Sequence, residues 1–325
     1  MFKNKNVLVA GGTGLVGIQL IKILNKLGAN VYVASLDKNV FKKNEIKKFF
    51  KLDLKNIDNC LKITKKIDIV FNLLGVTGSP QTNIQRPATF MMSNLYCAIN
   101  LLYAAQKNKV KRYLYTSTYG VYSHSSVMKE DTVWKTFPSE NDKYAGWAKR
   151  IGELQVEAYK KEFNFKSLHI VRPANIYGPN MNFNPKSSMV IGSLIKKIFS
   201  NKKKIEVWGD GKNIRDFIYS KDVAQFMIDV IKKNIQRPIN IGSGKGVKIK
   251  DIINILLKSE YLKKKPIIYY NTKMPSGDKK RVLDVSSART AGLIDKLTPL
   301  EIGLEHTVKW YLKNKKKLKN RYSFF

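Results

Sequence analysis

A glycine-rich turn near the start of the chain constrains the fold more than any other feature of the sequence. The apolar run NVLVA is followed by Gly11, Gly14 and Gly17. The last of these lies at the start of a run from Leu15 to Leu27 in which apolar residues recur with helical spacing. In such a unit the first glycine permits a tight turn, the second lets the backbone approach a pyrophosphate, and the third lets helix and strand pack closely. The pattern predicts a dinucleotide-binding turn, in which Thr13 and Leu15 are also expected to contact the cofactor.

Short β-branched runs alternate with helical patterns through the first half of the chain. The strand-like runs include NVYVAS, DIVFNLLG, KRYLYTS and SLHIVRP, and helical runs extend from Met91 to Ala105 and from Tyr144 to Glu162. Alternation of this kind is typical of a parallel sheet with helices on both faces. We therefore predict an α/β fold built on a Rossmann doubly wound parallel sheet.

The second half of the chain mixes helical runs with short strand-like ones. The run IEVWGDG, which starts at Ile205, is predicted to be one arm of a hairpin, and PIIYY is predicted to be a strand. We expect a Rossmann domain over residues 1–179, to which residues 217–246 return. Residues 180–216 and 247–325 are expected to form a smaller C-terminal α/β substrate-binding lobe.

Lysine dominates the formal net charge of +36 over 325 residues. A basic surface attracts nucleic acid and anionic lipid as well as phosphorylated substrates. The lysines are spread along the whole chain, however, and Asn and Ile are also abundant. All three residues have A/T-rich codons, so a biased genome accounts for the charge. The basic end, WYLKNKKKLKNRYSFF, is interpreted as a solvated helix end, and neither nucleic acid nor a membrane is expected as a partner.

The cysteine and hydropathy patterns favour a cytoplasmic protein without a metal site. Cys60 and Cys97 are isolated in apolar runs, so they are interpreted as small buried hydrophobic residues. No apolar run reaches the roughly 18 residues that a membrane span needs. The first strand begins so close to Met1 that we expect no secretory signal ahead of it.

The choice between NAD and NADP depends on the end of the second predicted strand. Asp37 lies about 20 residues after Gly17, where an acidic side chain binds the ribose hydroxyls of NAD. Lys38, next to it, would instead suit the 2′-phosphate of NADP. Asp37 makes NAD the expected cofactor, while Lys38 leaves NADP open. Asp53 follows a short strand, where it either contacts the adenine or caps a helix.

Five further motifs occur in order along the chain: Asp53-Leu54, Asn72-Leu73-Leu74-Gly75, Tyr115-Thr116-Ser117-Thr118, Arg172 to Pro179 (RPANIYGP) and Arg215-Asp216-Phe217. With the glycine turn, they resemble the extended short-chain dehydrogenase family of nucleotide-sugar epimerases and dehydratases. The segment PSGDKKRVLDVS and the helix after it are similar to those of GDP-fucose synthases. The resemblance implies an NAD(P)-dependent enzyme, a GDP-sugar as the favoured substrate, and a homodimer held by a four-helix bundle of the two long helical runs.

The resemblance also implies which residues form the site. Thr118, with Ser117 beside it, corresponds to the Ser/Thr that hydrogen-bonds the reacting hydroxyl. Lys149 corresponds to the lysine that holds the cofactor ribose and lowers the pKa of a catalytic tyrosine. Asn175 lies at the carboxyl edge of the sheet, so we expect it to contact the substrate too. The remaining cofactor contacts are expected from Leu54, Leu74, Gly75, Pro173 and Asn175.

The catalytic tyrosine of the family has no direct match in this chain. Ala145 lies four residues before Lys149, and Tyr144 lies five residues before it, about 140° away around a helix. Tyr144 is thus either an ordinary packing aromatic or the catalytic base on a helix that starts irregularly. The other candidates for a general acid or base are Tyr119, His124 and Lys143.

Two departures from the family narrow the reaction. Met189 stands where GDP-fucose synthases carry a histidine acid, which disfavours epimerisation at C3 and C5. Tyr119-Gly120 stand where dehydratases carry an Asp-Glu pair, which disfavours 4,6-dehydration. Arg215 resembles the family residue that grips the substrate diphosphate, and Arg281 is expected to play a similar part.

The sequence therefore favours an epimerase or reductase that acts on an NDP-hexose by hydride transfer at C4. The alternative is a catalytically impaired Rossmann module that senses dinucleotide and contacts RNA or a membrane through its basic surface. Ala145 and Met189 support the alternative, whereas Thr118, Lys149 and the sugar-diphosphate motifs support the enzyme.

Overall fold

The computed structural model of the protein describes residues 1–76, 85–124, 127–185, 187–274, 277–294 and 296–318. Its strands are β1 (Asn6–Ala10), β2 (Asn30–Ser35), β3 (Lys48–Lys51), β4 (Ile69–Asn72), β5 (Arg112–Thr116), β6 (Val127–Met128), β7 (Leu168–Pro173), β8 (Asn175–Tyr177), β9 (Lys204–Trp208), β10 (Ile214–Tyr219), β11 (Ile239–Ile241), β12 (Gly246–Lys248), β13 (Ile267–Asn271) and β14 (Lys280–Leu283). Its α-helices are α1 (Leu15–Lys26), α2 (Ile57–Thr64), α3 (Pro87–Lys107), α4 (Lys143–Phe163), α5 (Val190–Ile198), α6 (Ser220–Lys232), α7 (Ile249–Leu257), α8 (Ser286–Thr290) and α9 (Leu300–Asn314).

Seven parallel strands form the main sheet, in the order β11-β7-β5-β4-β1-β2-β3. The chain runs outwards from β1 in both directions, through β2 and β3 on one side and through β4 and β5 on the other. Such a reversal of strand order opens a crevice at the carboxyl ends of the strands, where ligands bind. The predicted Rossmann doubly wound sheet is confirmed.

Strand β1 is apolar along most of its length because both of its faces are buried. Val7 and Val9 belong to a core that includes residues of α1 and α6, whereas Leu8 and Ala10 belong to a core that includes residues of α2 and α3. Helices therefore cover both faces of the sheet. Cys60 is buried in the second of these cores, and its thiol is free.

A second unit packs around its own apolar core. Its largest sheet has the order β12-β10-β14-β6, with β8 paired to β10. Residues of α5, α7 and α9 share a third hydrophobic cluster with Phe217 and Tyr219 of β10. Between these elements the chain returns to the main sheet, where α6 joins the first core and β11 pairs with β7. No helix in the described ranges is long and apolar enough to cross a membrane.

The hairpin predicted for IEVWGDG is wrong. Strand β9 pairs in parallel with β13, which lies beyond α6 and α7 in the chain, and the N–H of Gly209 donates to the carbonyl of Asn271. The Gly-Asp-Gly turn ends the strand as a turn sequence should, but the chain does not fold back on itself there. Turn residues indicate where a strand stops and not which strand becomes its partner.

Candidate active site

The glycine turn between β1 and α1 forms a tight backbone cradle. Gly11 has a φ of +82°, in the left-handed region that favours glycine. A Cβ on Gly11 would lie 3.2 Å from the carbonyl oxygen of Leu73, and a Cβ on Gly17 would lie 2.6 Å from Cα of Gly12. Gly14 is the N-cap of α1 and places no side chain over the first turn. Because the first N–H groups of a helix lack intrahelical acceptors, the cradle fits a dinucleotide diphosphate.

Asp37 is held beside this cradle, just past the carboxyl end of β2. The hydroxyl of Thr13 donates to Oδ2 of Asp37 at 2.8 Å, and Oγ of Ser35 lies 2.6 Å from the Thr13 oxygen. The N–H of Asp37 donates to Ser35 Oγ at 3.2 Å. A carboxylate fixed at this place is suited to accept hydrogen bonds from ribose hydroxyls. Leu15, the first residue of α1, is half-buried against the third core.

The helix-cap interpretation of Asp53 is wrong, because Asn56 caps α2. Oδ1 of Asn56 accepts hydrogen bonds from the N–H groups of Asp58 and Asn59. The Asp53 carboxylate instead accepts from the N–H of Lys55 and is about half exposed, and Leu54 beside it is buried. The predicted contacts of Asp53 and Leu54 with the cofactor stay predictions.

Lys149 joins the ends of two strands at the carboxyl edge of the main sheet. Its Nζ donates to the carbonyl oxygens of Leu74, after β4, and of Thr116, the last residue of β5, at 2.9 Å each. A Cβ on Gly75 would lie 3.3 Å from the same Nζ. Burial lowers the pKa of the Lys149 ammonium to about 8. The structure thus brings together the predicted residues Leu74, Gly75 and Lys149.

Tyr144 lies on a different face of α4 from Lys149. The helix runs from Lys143 with Asp142 as its N-cap, so the irregular start that Tyr144 would need is not seen. The Tyr144 side chain is 46% exposed, whereas Lys149 is buried. Ala145, one turn before Lys149, occupies the place on the helix where a phenol would meet the ammonium. A catalytic part for Tyr144 stays a prediction that this placement does not support.

Thr118 and Ser117 follow β5 at the same edge of the sheet. Oγ1 of Thr118 accepts from the N–H of Gly120 at 3.1 Å and caps the 3₁₀ turn Tyr119–Val121. The hydroxyl proton of Thr118 therefore remains available to an outside acceptor. Oγ of Ser117 is buried and has no hydrogen-bond partner within the described residues. Pro173 ends β7 beside Ile241, so its carbonyl is also at this edge.

A cleft of about 230 Å³ opens between the main sheet and the second unit. One end is polar, and the other is formed largely by apolar side chains of α5, β9 and α7. Met189 lies in its wall and offers a thioether with no proton to transfer. The polar lining residues are Tyr119, Asn141, Asp142, Asn175, Arg215, Asp278 and Arg281, among others.

The two predicted arginines differ in how they are bound. Arg215 donates from Nη1 to the carbonyl of Ile214 at 2.9 Å, and no carboxylate within the described residues pairs with it. Arg281 is buried and pairs with Asp142 through Nη1 and with Asp278 through Nε, the latter at 3.4 Å. Its charge is largely met by these carboxylates. Arg215 is therefore better placed to bind a diphosphate, and Arg281 to hold the cleft together.

Asp142 and Asp278 were not predicted as site residues from the sequence. Asp278 also accepts from Nδ2 of Asn141 at 2.8 Å and lies 3.0 Å from Nδ1 of the exposed His124. Asp142 and Arg281 are 139 residues apart in the chain. The one available signal was that Asp278 and Arg281 lie three residues apart in the motif that resembles GDP-fucose synthases.

The glycine cradle, the buried lysine and the arginine-bearing cleft together define a dinucleotide-dependent oxidoreductase or isomerase. The profile of the NAD dependent epimerase/dehydratase family matches residues 7–242. The chain belongs to this family, and the resemblance identified from its motifs is confirmed.

Two relatives and one solved structure illustrate the similarity. GDP-L-fucose synthase of Escherichia coli is 26% identical over 329 residues, covering 95% of this chain and 97% of the relative. GDP-L-colitose synthase of Yersinia pseudotuberculosis is 29% identical over 273 residues, covering 81% and 87%. The crystal structure of a GDP-L-fucose synthetase from Naegleria fowleri bound to NADP matches with a TM-score of 0.82, at 20% identity over 97% of this chain and 95% of that one.

Proposed function

We propose that this protein is an NAD(P)-dependent GDP-sugar reductase or 4-epimerase. The observation that carries the proposal is Lys149, buried between the carbonyls of Leu74 and Thr116. An ammonium there is suited to bind the nicotinamide ribose and to stabilise negative charge near the reacting carbon. A nicotinamide bound in this place would supply or accept a hydride at C4 of the hexose. The relatives named as a GDP-L-fucose synthase and a GDP-L-colitose synthase support the choice of nucleotide.

The cleft supports redox chemistry at C4 better than inversion at C3 or C5. Inversion next to a carbonyl requires one group to remove a carbon-bound proton and another to replace it. The thioether of Met189 does neither, and Gly120 has no side chain to offer. Among the described residues that line the cleft, the carboxylates are Asp142 and Asp278, and both are paired with Arg281. These features favour reduction of a keto sugar, or its reversal, over a 3,5-epimerisation.

In the proposed site, different residues bind the cofactor, bind the sugar nucleotide and orient the reacting oxygen. The cradle of Gly11, Gly14 and Gly17 holds the dinucleotide diphosphate, and Asp37 holds the adenosine ribose. Arg215 binds the diphosphate of the sugar nucleotide, for which the fork of a guanidinium is well suited. The hydroxyl of Thr118 orients the sugar oxygen at C4.

We also propose that the protein acts as a homodimer. The exposed side chains of Met92, Tyr96, Ile99 and Tyr103 form a stripe along α3, since they follow one another at three- and four-residue steps. Helix α4 packs against α3 and adds exposed apolar side chains of its own, including Ile151 and Leu154. Joining two such pairs of helices buries both stripes in a four-helix bundle.

The first experiment is NMR of GDP-, UDP- and dTDP-hexoses and their 4-keto forms after incubation with the protein and each nicotinamide cofactor. A new sugar signal that requires the cofactor, and that is strongest with a GDP-sugar, is the expected result. Binding of cofactor in the same samples without turnover of any sugar would contradict the proposal. The RNA- or membrane-contacting module, which membership of the epimerase/dehydratase family does not favour, predicts that second outcome together with salt-sensitive RNA or liposome binding.

A further inference from the structure

Tyr119 is the only tyrosine among the described residues that line the cleft. It follows Thr118 directly, at the start of the 3₁₀ turn after β5. Its hydroxyl donates to Oδ1 of Asn175 at 2.9 Å, because Nδ2 of Asn175 is itself used as a donor to the carbonyl of Asp216 at 3.0 Å. The phenol oxygen thus lies in the cleft beside Asn175, the first residue of β8 just past the carboxyl end of β7.

The ring of Tyr119 is held firmly in this position. The guanidinium of Arg281 lies over the ring face, with Cζ 4.4 Å from the centroid. Nη2 of the same arginine donates to the Tyr119 carbonyl at 3.2 Å. Arg281 is in turn fixed by its ion pairs with Asp142 and Asp278. These contacts leave the hydroxyl as the part of the side chain that can exchange one hydrogen-bond partner for another.

Other candidate acids and bases are placed less well. Tyr144 and Lys143 are exposed on α4, and the Lys143 ammonium lies 3.3 Å from the carboxylate of Glu140. The side chain of His124 is 69% exposed and pairs with Asp278.

We infer that Tyr119 is the general acid that replaces the tyrosine missing at Ala145. The inference rests on the proposed function and assigns the general acid of that reaction. The carbonyl carbon at C4 accepts a hydride from the reduced nicotinamide, and the C=O π electrons move to the oxygen. That oxygen takes the proton of the Tyr119 hydroxyl, which turns from Asn175 toward it. The sugar is reduced, the cofactor is oxidised, and the tyrosinate regains a proton from solvent.

The environment of Tyr119 suits an acid better than a base. Burial raises the pKa of the phenol, and the Arg281 guanidinium opposes part of that rise. The hydroxyl therefore stays protonated at neutral pH and is ready to donate. In the reduction direction we expect kcat to be flat up to about pH 8, where the Lys149 ammonium begins to lose its proton, and to fall in more alkaline solution.

The test compares Tyr119→Phe with Tyr144→Phe and Tyr269→Phe, using the sugar that turns over in the NMR panel. Tyr269 is half-exposed on β13, where Lys204 covers its ring, so its variant serves as the matched control. We expect Tyr119→Phe to lower kcat by about 10²- to 10⁴-fold, the usual range for loss of a general acid. KM and the affinities for GDP and cofactor should change little, and the control should match the wild type.

A ring-fluorinated tyrosine at position 119 separates proton transfer from a merely structural role. Several ring fluorines lower the pKa of the phenol below that of the Lys149 ammonium, which is about 8, so the alkaline limb of the kcat profile should move to lower pH. A kcat for Tyr119→Phe within threefold of wild type, a large loss in Tyr144→Phe alone, or an unmoved alkaline limb would each overturn the inference and leave the proposed function standing. Absence of turnover by the wild type on every sugar would overturn both.

Discussion

At the scale of single residues, Lys149 shows how a side chain can serve the site while weakening the fold. Its ammonium is buried, and it donates hydrogen bonds to the neutral carbonyl groups of Leu74 and Thr116. Burial lowers its pKa from 10.5 to about 8, which corresponds to roughly 3 kcal/mol against the charged form at neutral pH. Between those two pH values the unfolded chain binds a proton that the folded protein does not, so stability contributed by this residue rises with pH.

We therefore expect Lys149→Met to be more stable and inactive. At pH 7 its free energy of unfolding should rise by about 1–2 kcal/mol, because loss of two hydrogen bonds offsets part of the relief from burying a charge. Sugar turnover should fall by at least about 100-fold. Denaturant unfolding at pH 7 and pH 10 measures the first effect, and the gain should shrink at the higher pH. Lys161→Met, exposed on the same helix, is the control, and full activity in Lys149→Met would refute the assigned role.

The network of Thr13, Ser35 and Asp37 predicts a preference for NAD over NADP. A fixed carboxylate accepts hydrogen bonds from both ribose hydroxyls and repels a 2′-phosphate. In Asp37→Ala the Kd for NAD should rise about 10- to 100-fold, since hydrogen bonds to a charged group contribute about 1.5–3 kcal/mol. The Kd for NADP should stay level or fall, which fluorescence titration of both reduced cofactors would show. Asp210→Ala, an exposed acidic residue of the β9–β10 loop, is the matched control, and equal affinities in the wild type would contradict the prediction.

At the scale of elements, features formed by neighbouring segments of the chain could be predicted from the sequence, and features formed by distant segments could not. β1, the glycine turn and α1 are consecutive, so their spacing alone predicted the cradle. Lys149 was predicted from the resemblance to the family. By contrast β9 pairs with β13, and Arg281 pairs with Asp142, across long stretches of chain. Such pairings depend on how the whole chain folds, and no local pattern of turn residues or charges specifies them.

The exposed stripe on α3 and α4 predicts an interface that substitution should disrupt. We expect the wild type to sediment as a dimer at micromolar concentration. The double variant Ile99→Lys/Leu154→Lys should sediment as a monomer, because two ammonium groups per protomer would otherwise be buried in an apolar seam. Ile267→Lys, on an exposed part of β13, should leave the dimer intact. A wild type that is monomeric at every concentration tested would rule out the proposed bundle.

At the scale of the whole molecule, the net charge of +36 should act on how fast substrate arrives rather than on how tightly it is held. Most of the lysines are exposed, so their field acts over the Debye length and is screened by salt. Arg215 is instead half-buried in the cleft, where screening is weaker, and it is the residue proposed to contact the diphosphate.

The exposed lysines and the half-buried Arg215 therefore predict different salt dependences for the binding and the release of GDP. In stopped-flow experiments the association rate constant of GDP should fall by about tenfold or more between low and high NaCl, while its dissociation rate constant changes much less. Guanosine, which keeps the base and lacks the phosphates, should associate at a rate that salt hardly alters. Equal salt dependence for the two ligands would show that the charge does not steer the substrate. In Arg215→Met the release of GDP should be faster, while its association rate should still depend on salt, because the lysines that attract the ligand remain in place.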